Sequence, residues 1–208
     1  TTRTRPHFCT SQSMRVRSAG LALAITAPAA MACEVELILA MDVSRSVINA
    51  EYNLQMQGLA AAFRDPAVTD AIGWADGGIM ATVTQWSGPD TQIQSVKWTA
   101  IETSQDADAF AKAIENQRRK FFSAYTATGD ALRHASRLSV QNPVHCRRKV
   151  IDVSGDGAGN RGTRTRLVSD ELVEQGYTIN GLVILGAQPD PLAFYASEVI
   201  GGPGAFVE

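Results

Sequence analysis

The segment Leu37-Ile38-Leu39-Ala40-Met41, led in by Glu36, stops abruptly on Asp42. Successive side chains of a strand point to opposite faces, so an unbroken apolar run with no polar alternation must be hidden on both sides. That restricts the segment to a central strand covered by helices above and below. Tyr52, Met56, Leu59 and Phe63 recur at helical spacing and predict an amphipathic helix over about 49–64, ended by Pro66. Gly78 to Trp86 reads as a second strand, closed by the turn Ser87-Gly88-Pro89-Asp90. Residues 92–98 form its more polar antiparallel partner at the sheet edge.

Helices are expected over about 105–119, 126–139, 164–175 and 190–199, with strands at 149–154 and 177–185 and the start of a last one at 205–207. Strands alternating with helices predict the α/β class, with three layers and a mainly parallel sheet bearing one antiparallel edge strand. The chain stops where one more helix would cover the last strand.

Residues 1–32 hold Arg3, Arg5, Arg15 and Arg17 and no acidic residue. Arg15 and Arg17 precede an uncharged stretch from Ala19 to Ala27, then Pro28 and the small-residue site Ala30-Met31-Ala32. That order predicts a secretory signal peptide cut after Ala32, with residues 1–13 ahead of Met14 set aside, and a mature domain over 33–208. The apolar stretch is shorter than the roughly 20 residues that span a bilayer, and no second one occurs, so the mature chain is expected to have no membrane span. Taking the four leader arginines from the 19 basic residues leaves 15 against 21 acidic ones. A mildly acidic chain offers no field for nucleic acid. The expected location is periplasmic or secreted.

In parallel sheets ligands bind beyond the carboxyl ends of the strands. The first apolar run ends in Asp42-Val43-Ser44-Arg45-Ser46, and Val150-Ile151-Asp152-Val153-Ser154 ends in Gly155-Asp156-Gly157. The helix near 127 opens with Thr126-Ala127-Thr128-Gly129-Asp130-Ala131-Leu132. Three distant segments thus bring short oxygen side chains to one pole. Asp42 and Asp156 side by side would repel unless a cation or a proton lay between them. Ser44, Ser46 and Thr126 add neutral hard oxygens. With neither His nor Cys among them, the set favours Mg²⁺ or Mn²⁺ over zinc. Because few ligands are anionic, the ion would keep positive charge, and an open position would attract a carboxylate from a protein partner.

These residues resemble the von Willebrand factor A domain and its metal-ion-dependent adhesion site. Asp42-x-Ser44-x-Ser46 looks like the family's first motif, Thr126 its threonine and Asp156 its final aspartate, in family order over residues 35–208. Ser154-Gly155-Asp156-Gly157 departs from the more common Thr-Asp-Gly, and Arg45 stands where Gly is common. The phrases Ile151 to Gly157 and Gly201-Gly202-Pro203-Gly204-Ala205-Phe206-Val207 are similar to an exported bacterial branch of unknown function. The resemblance implies six strands, an adhesion-type binding module instead of an enzyme, and a loop at Thr126 that moves between weak and strong binding.

A second reading comes from another class. Asp42-Val43-Ser44 and Gly155-Asp156-Gly157-x-x-Asn160 also resemble haloacid-dehalogenase-type phosphatases, with Asp42 as nucleophile. Those enzymes use a second aspartate two residues later as general acid, and here that residue is Ser44.

Cys33 lies nine residues before Asp42, and Cys146 ten before Asp156. Counting back at about 3.3 Å per residue sets both cysteines near the opposite pole, and the family's strand order makes their strands neighbours. A Cys33–Cys146 disulfide is therefore expected after export, with a lipidated Cys33 or two free thiols as the alternatives. His7, His134 and His145 are scattered. Arg118-Arg119-Lys120 and Arg147-Arg148-Lys149 read as solvated element ends. Asp152 shares a strand face with Ser154 and reads as a buried structural carboxylate facing Asn180, with a supporting role toward the metal as the alternative.

Overall fold

A computed structural model describes residues 1–2, 33–122, 124–185 and 190–208. The signal peptide expected within 1–32 lies outside the described residues, apart from the exposed Thr1 and Thr2. The chain divides into two units, Thr1–Ala30 and Met31–Glu208, and the second carries every element described below.

Five strands form one sheet: β1 (Cys33–Asp42), β2 (Ile79–Trp86), β3 (Gln92–Ile101), β4 (Cys146–Gly155) and β5 (Tyr177–Val183), in the order β3-β2-β1-β4-β5. All neighbours are parallel except β2 and β3. β1 occupies the centre, as its unbroken apolar run requires. Its Leu39 and Met41 face one core, with Tyr52, Met56, Phe63 and Phe110 from the helices α1 (Asn49–Ala62) and α3 (Ser104–Glu115) and the residues around them. Ile38 and Ala40 face the other, with Leu132 of α4 (Thr128–Val140), Leu172 of α5 (Thr165–Glu174) and Tyr195. Each such fully buried Ile or Leu contributes on the order of 1.5–3 kcal/mol, so this strand anchors both layers.

The helix expected over 49–64 is α1, which ends at Ala62, and a second helix not foreseen in the sequence follows it: Pro66 opens α2 (Pro66–Trp74), where Asp65 caps the start by accepting from Ala67 N at 2.8 Å. A proline at the first helical position loses no hydrogen bond, so Pro66 starts one helix as well as closing another. The segment expected as helix over 190–199 has three α-helical residues (α6, Leu192–Phe194) and continues as a π-helical turn, Tyr195–Val199.

The sheet has five strands where six were expected. Residues 206–208 do run beside β5, with Gly181 N donating to Phe206 O at 2.9 Å and Glu208 N to Gly181 O at 3.0 Å. They make a single parallel bridge, Gly181 to Val207, and not the consecutive pairs that define a strand.

At the pole opposite Asp42, Cys33 pairs in register with Cys146 across β1 and β4. The two are joined as a disulfide with Cα atoms 4.5 Å apart. Among the described residues no helix is long and apolar enough to cross a membrane.

Candidate metal centre

Parallel strands bring their carboxyl ends to one pole, and β1, β2 and β4 end there side by side. Asp42 closes β1 and is wholly buried. Its Oδ1 accepts from Ser44 N at 2.7 Å, which curls the chain so that Ser44 and Ser46 turn their hydroxyls inward, 3.1 Å apart. Ser46 Oγ donates to Asp156 Oδ1 at 2.8 Å, just beyond the end of β4. Thr126 Oγ1 lies 3.4 Å from Ser44 Oγ. All five oxygen-bearing side chains singled out from the sequence therefore converge. Among the described residues no three His, Cys, Asp or Glu side chains stand together, so two carboxylates and three hydroxyls make up the cluster.

The electrostatics are those of an anion without its counter-charge. Burial pushes the Asp42 carboxyl up to about 7, and the nearby Asp156 charge adds to this, against the lowering by Ser44's hydrogen bonds and Arg119. Burial also raises Asp156, with the Glu51 charge adding to it and the Ser46 hydrogen bond opposing it. Asp42 Oδ2 is buried with no hydrogen-bond partner. An orphaned carboxylate oxygen in a buried site costs about 1–3 kcal/mol or more, and a cation is a counterpart that removes the penalty. The residues present thus fit a hard divalent ion: oxygen-only donors, two of them charged, with one oxygen unspent.

Supports for this pole come from residues the sequence did not mark as functional. The helix expected to run to 119 stops at Glu115, and the chain beyond it packs against the first motif. Arg119, read as a solvated end, donates through Nη2 to Val43 O at 3.0 Å and also to Ser44 O, and through Nε to Phe121 O at 3.1 Å. Its guanidinium also stacks over the exposed Phe122 ring at 4.4 Å. Gln85, fully buried at the end of β2, accepts from Lys120 N at 2.9 Å and donates to Arg118 O at 3.1 Å, which holds this loop in place. A basic run gives no hint in sequence of which guanidinium will meet two backbone carbonyls.

Thr126 is fixed by the loop that follows Asp156. Asn160 Oδ1 accepts from Thr126 N at 3.0 Å, and Thr126 O accepts from Asn160 N at 2.9 Å. Asp130, in the first turn of α4, accepts from Thr163 N at 3.0 Å and from its hydroxyl at 2.9 Å. Gly162, at φ +79°, lies so close that a Cβ would meet Asp130 Oδ2 at 1.6 Å. The second and third motifs are therefore tied together by hydrogen bonds at both ends of this contact. Asp152 takes the place expected of it: Asn180 Nδ2 donates to its Oδ1 at 2.7 Å, away from the cluster.

A family model described as "Protein of unknown function (DUF1194)" matches residues 32–208. No curated protein matches the sequence. Proximal thread matrix protein 1 from the mussel byssus superposes with a TM-score of 0.65 at 18% identity, covering 85% of this chain and 44% of that one. The same mussel protein with zinc occupying its MIDAS motif gives a TM-score of 0.58 at 18% identity, covering 85% and 42%. The pilus adhesin SpaC from Lactobacillus rhamnosus GG gives 0.57 at 13% identity, covering 84% and 28%. This chain spans less than half the length of each of these chains. At such identities the likeness is one of fold, and the fold is of the von Willebrand factor A type.

Proposed function

We propose that this chain, which belongs to the DUF1194 family of proteins of unknown function, is an exported, divalent-metal-dependent protein-binding module. One observation carries the reading: the orphaned, fully buried Asp42 Oδ2 lies in a cluster where Ser44, Ser46, Thr126 and Asp156 converge from three distant segments. Asp42, Ser44, Ser46, Thr126 and Asp156 would hold the ion, Mg²⁺ or Mn²⁺ on the hardness of their oxygens. The ion would supply a Lewis-acidic position for a carboxylate offered by a partner. The chain's own part is to preset the donors, with Arg119 clamping the Asp42–Ser46 loop and Asn160 clamping Thr126.

The mussel matrix protein and the pilus adhesin that share this fold support an adhesion-type role, and the zinc-occupied motif in the former supports a metal at the equivalent place. The disulfide Cys33–Cys146 favours an oxidising compartment, in keeping with the leader expected from the sequence. The phosphatase reading has less support. The residue two positions after Asp42 is Ser44, whose hydroxyl is engaged with Ser46 and has no acidic proton to give a leaving group.

Recovery of partners from the native organism, with Mg²⁺ and with chelator, tests the reading. Retention of a protein only in the presence of the metal supports it. Hydrolysis of a phosphoester that is lost in Asp42→Asn would replace it with the phosphatase.

A further inference from the structure

Two buried oxygens without hydrogen-bond partners face the same glycine. A Cβ built at Gly155 would stand 2.5 Å from the Tyr195 hydroxyl and 2.9 Å from Asp42 Oδ2. Neither oxygen has a partner among the described residues, and both side chains are wholly buried. They are complementary. A phenol in its neutral form can donate, and a carboxylate oxygen can only accept.

The tyrosine ring reaches this point because two adjacent strands are cut back beneath it. A Cβ at Gly181 of β5 would meet Tyr195 Cδ1 at 2.7 Å, and Gly155 of β4 leaves the room ahead of the hydroxyl. Tyr195 itself opens the π-helical turn Tyr195–Val199, a distortion found disproportionately where a helix has been re-aimed for function. A phenylalanine would fill the same apolar space without leaving a polar atom orphaned there. Packing alone therefore gives no reason for the hydroxyl.

We infer that Tyr195 is a positioning residue for Asp42, an assignment that rests on the metal-binding reading above. Its hydroxyl donates toward Asp42 Oδ2 across one ordered water in the space over Gly155, and holds the carboxylate in the orientation that meets the ion. Asp42 Oδ1 is already held by Ser44 N at 2.7 Å, so Tyr195 restrains the oxygen that the loop does not. Gly155 is required because any side chain would fill the gap between the two oxygens. Residues that hydrogen-bond a ligating carboxylate are part of what sets affinity for the metal.

The test compares the full chain with Tyr195→Phe, Asp42→Asn and the double variant, by Mg²⁺ titration calorimetry and by melting in chelator. Tyr195→Phe should melt in chelator at the parent temperature or slightly above it, while its Mg²⁺ Kd rises about 10- to 100-fold, the usual effect of losing such a hydrogen bond. In the Asp42→Asn background the same change should have no further effect on Mg²⁺. An unchanged Mg²⁺ Kd in Tyr195→Phe, beside a parent that binds, overturns the assignment alone. A loss of melting temperature in chelator as large as that in Mg²⁺ also overturns it, since the hydroxyl would then be structural. A parent that binds neither Mg²⁺ nor Mn²⁺ overturns the metal reading and this assignment together.

Discussion

Ser46 Oγ donates to Asp156 Oδ1 at 2.8 Å, across 110 residues of sequence. The bond closes the oxygen cluster between the end of β1 and the end of β4, and it places the two carboxylates of the site against the same pair of serine hydroxyls. Removing either end of this arrangement has consequences that differ with and without a divalent ion.

Asp42→Ala and Asp156→Ala should each abolish stabilisation by Mg²⁺ while leaving the fold intact. An ion that binds only the native state at 100 times its Kd adds about 2.7 kcal/mol. In chelator Asp42→Ala should cost less stability than it does in Mg²⁺, because the lost hydrogen bond from Ser44 N is offset by removal of a buried carboxyl with one unpaired oxygen. Melting curves with Mg²⁺ and with chelator measure both effects. A parent protein whose melting is indifferent to Mg²⁺, Mn²⁺ and chelator would exclude the site.

Arg119→Ala should destabilise the chain by roughly 1.5–3 kcal/mol, the range for hydrogen bonds made by a charged group. It should also weaken Mg²⁺ binding by freeing the backbone of Val43 and Ser44. Arg119→Lys should rescue little, because a single ammonium cannot reproduce a fork that reaches Val43 and Phe121 through the same Nε. Denaturant titration and calorimetry of both variants decide this. A lysine variant with parental Mg²⁺ affinity would mean that only the charge matters.

The Cys33–Cys146 bond closes a loop of 113 residues, so removing it should lower stability by about 2–5 kcal/mol. Cys33→Ser with Cys146→Ser tests the magnitude. Mass spectrometry of the exported protein tests the bond itself: without reductant neither cysteine should be alkylated. A lipid adduct on Cys33 would show that this cysteine has another use in the cell.

Burial raises the Asp152 carboxyl above its ordinary value near 3.8, against the opposing hydrogen bond from Asn180. Because the folded-state value is the higher one, the group's contribution to stability is fully present below the unfolded value. It is lost as pH rises through the folded value. Asp152→Asn should remove that loss, so the variant should gain on the parent as pH increases from about 4 toward neutrality. Denaturation at a series of pH values provides the difference. A constant difference between variant and parent across that range would mean that Asp152 titrates alike in both states.

The central strand, the α/β class and the five oxygen-bearing residues were legible in the sequence because each depends on a local signal: an apolar run with an abrupt polar end, or short hydroxyls just beyond it. Strand alternation set Asp152 on the face of Ser154, and the register of β4 against β5 put Asn180 opposite it. The tertiary structure decided what depends on meetings across the chain. Arg119 is one of three consecutive basic residues, and only the packing of the loop after α3 against β1 brings that guanidinium to the carbonyls of Val43 and Ser44. Tyr195 reads as an ordinary core aromatic until Gly155 and Gly181, on neighbouring strands, are seen to clear a path from its ring to Asp42. Side-chain periodicity reports which face of an element is buried. It carries no information on which distant backbone will lie against that face, and that contact sets the orientation of the site.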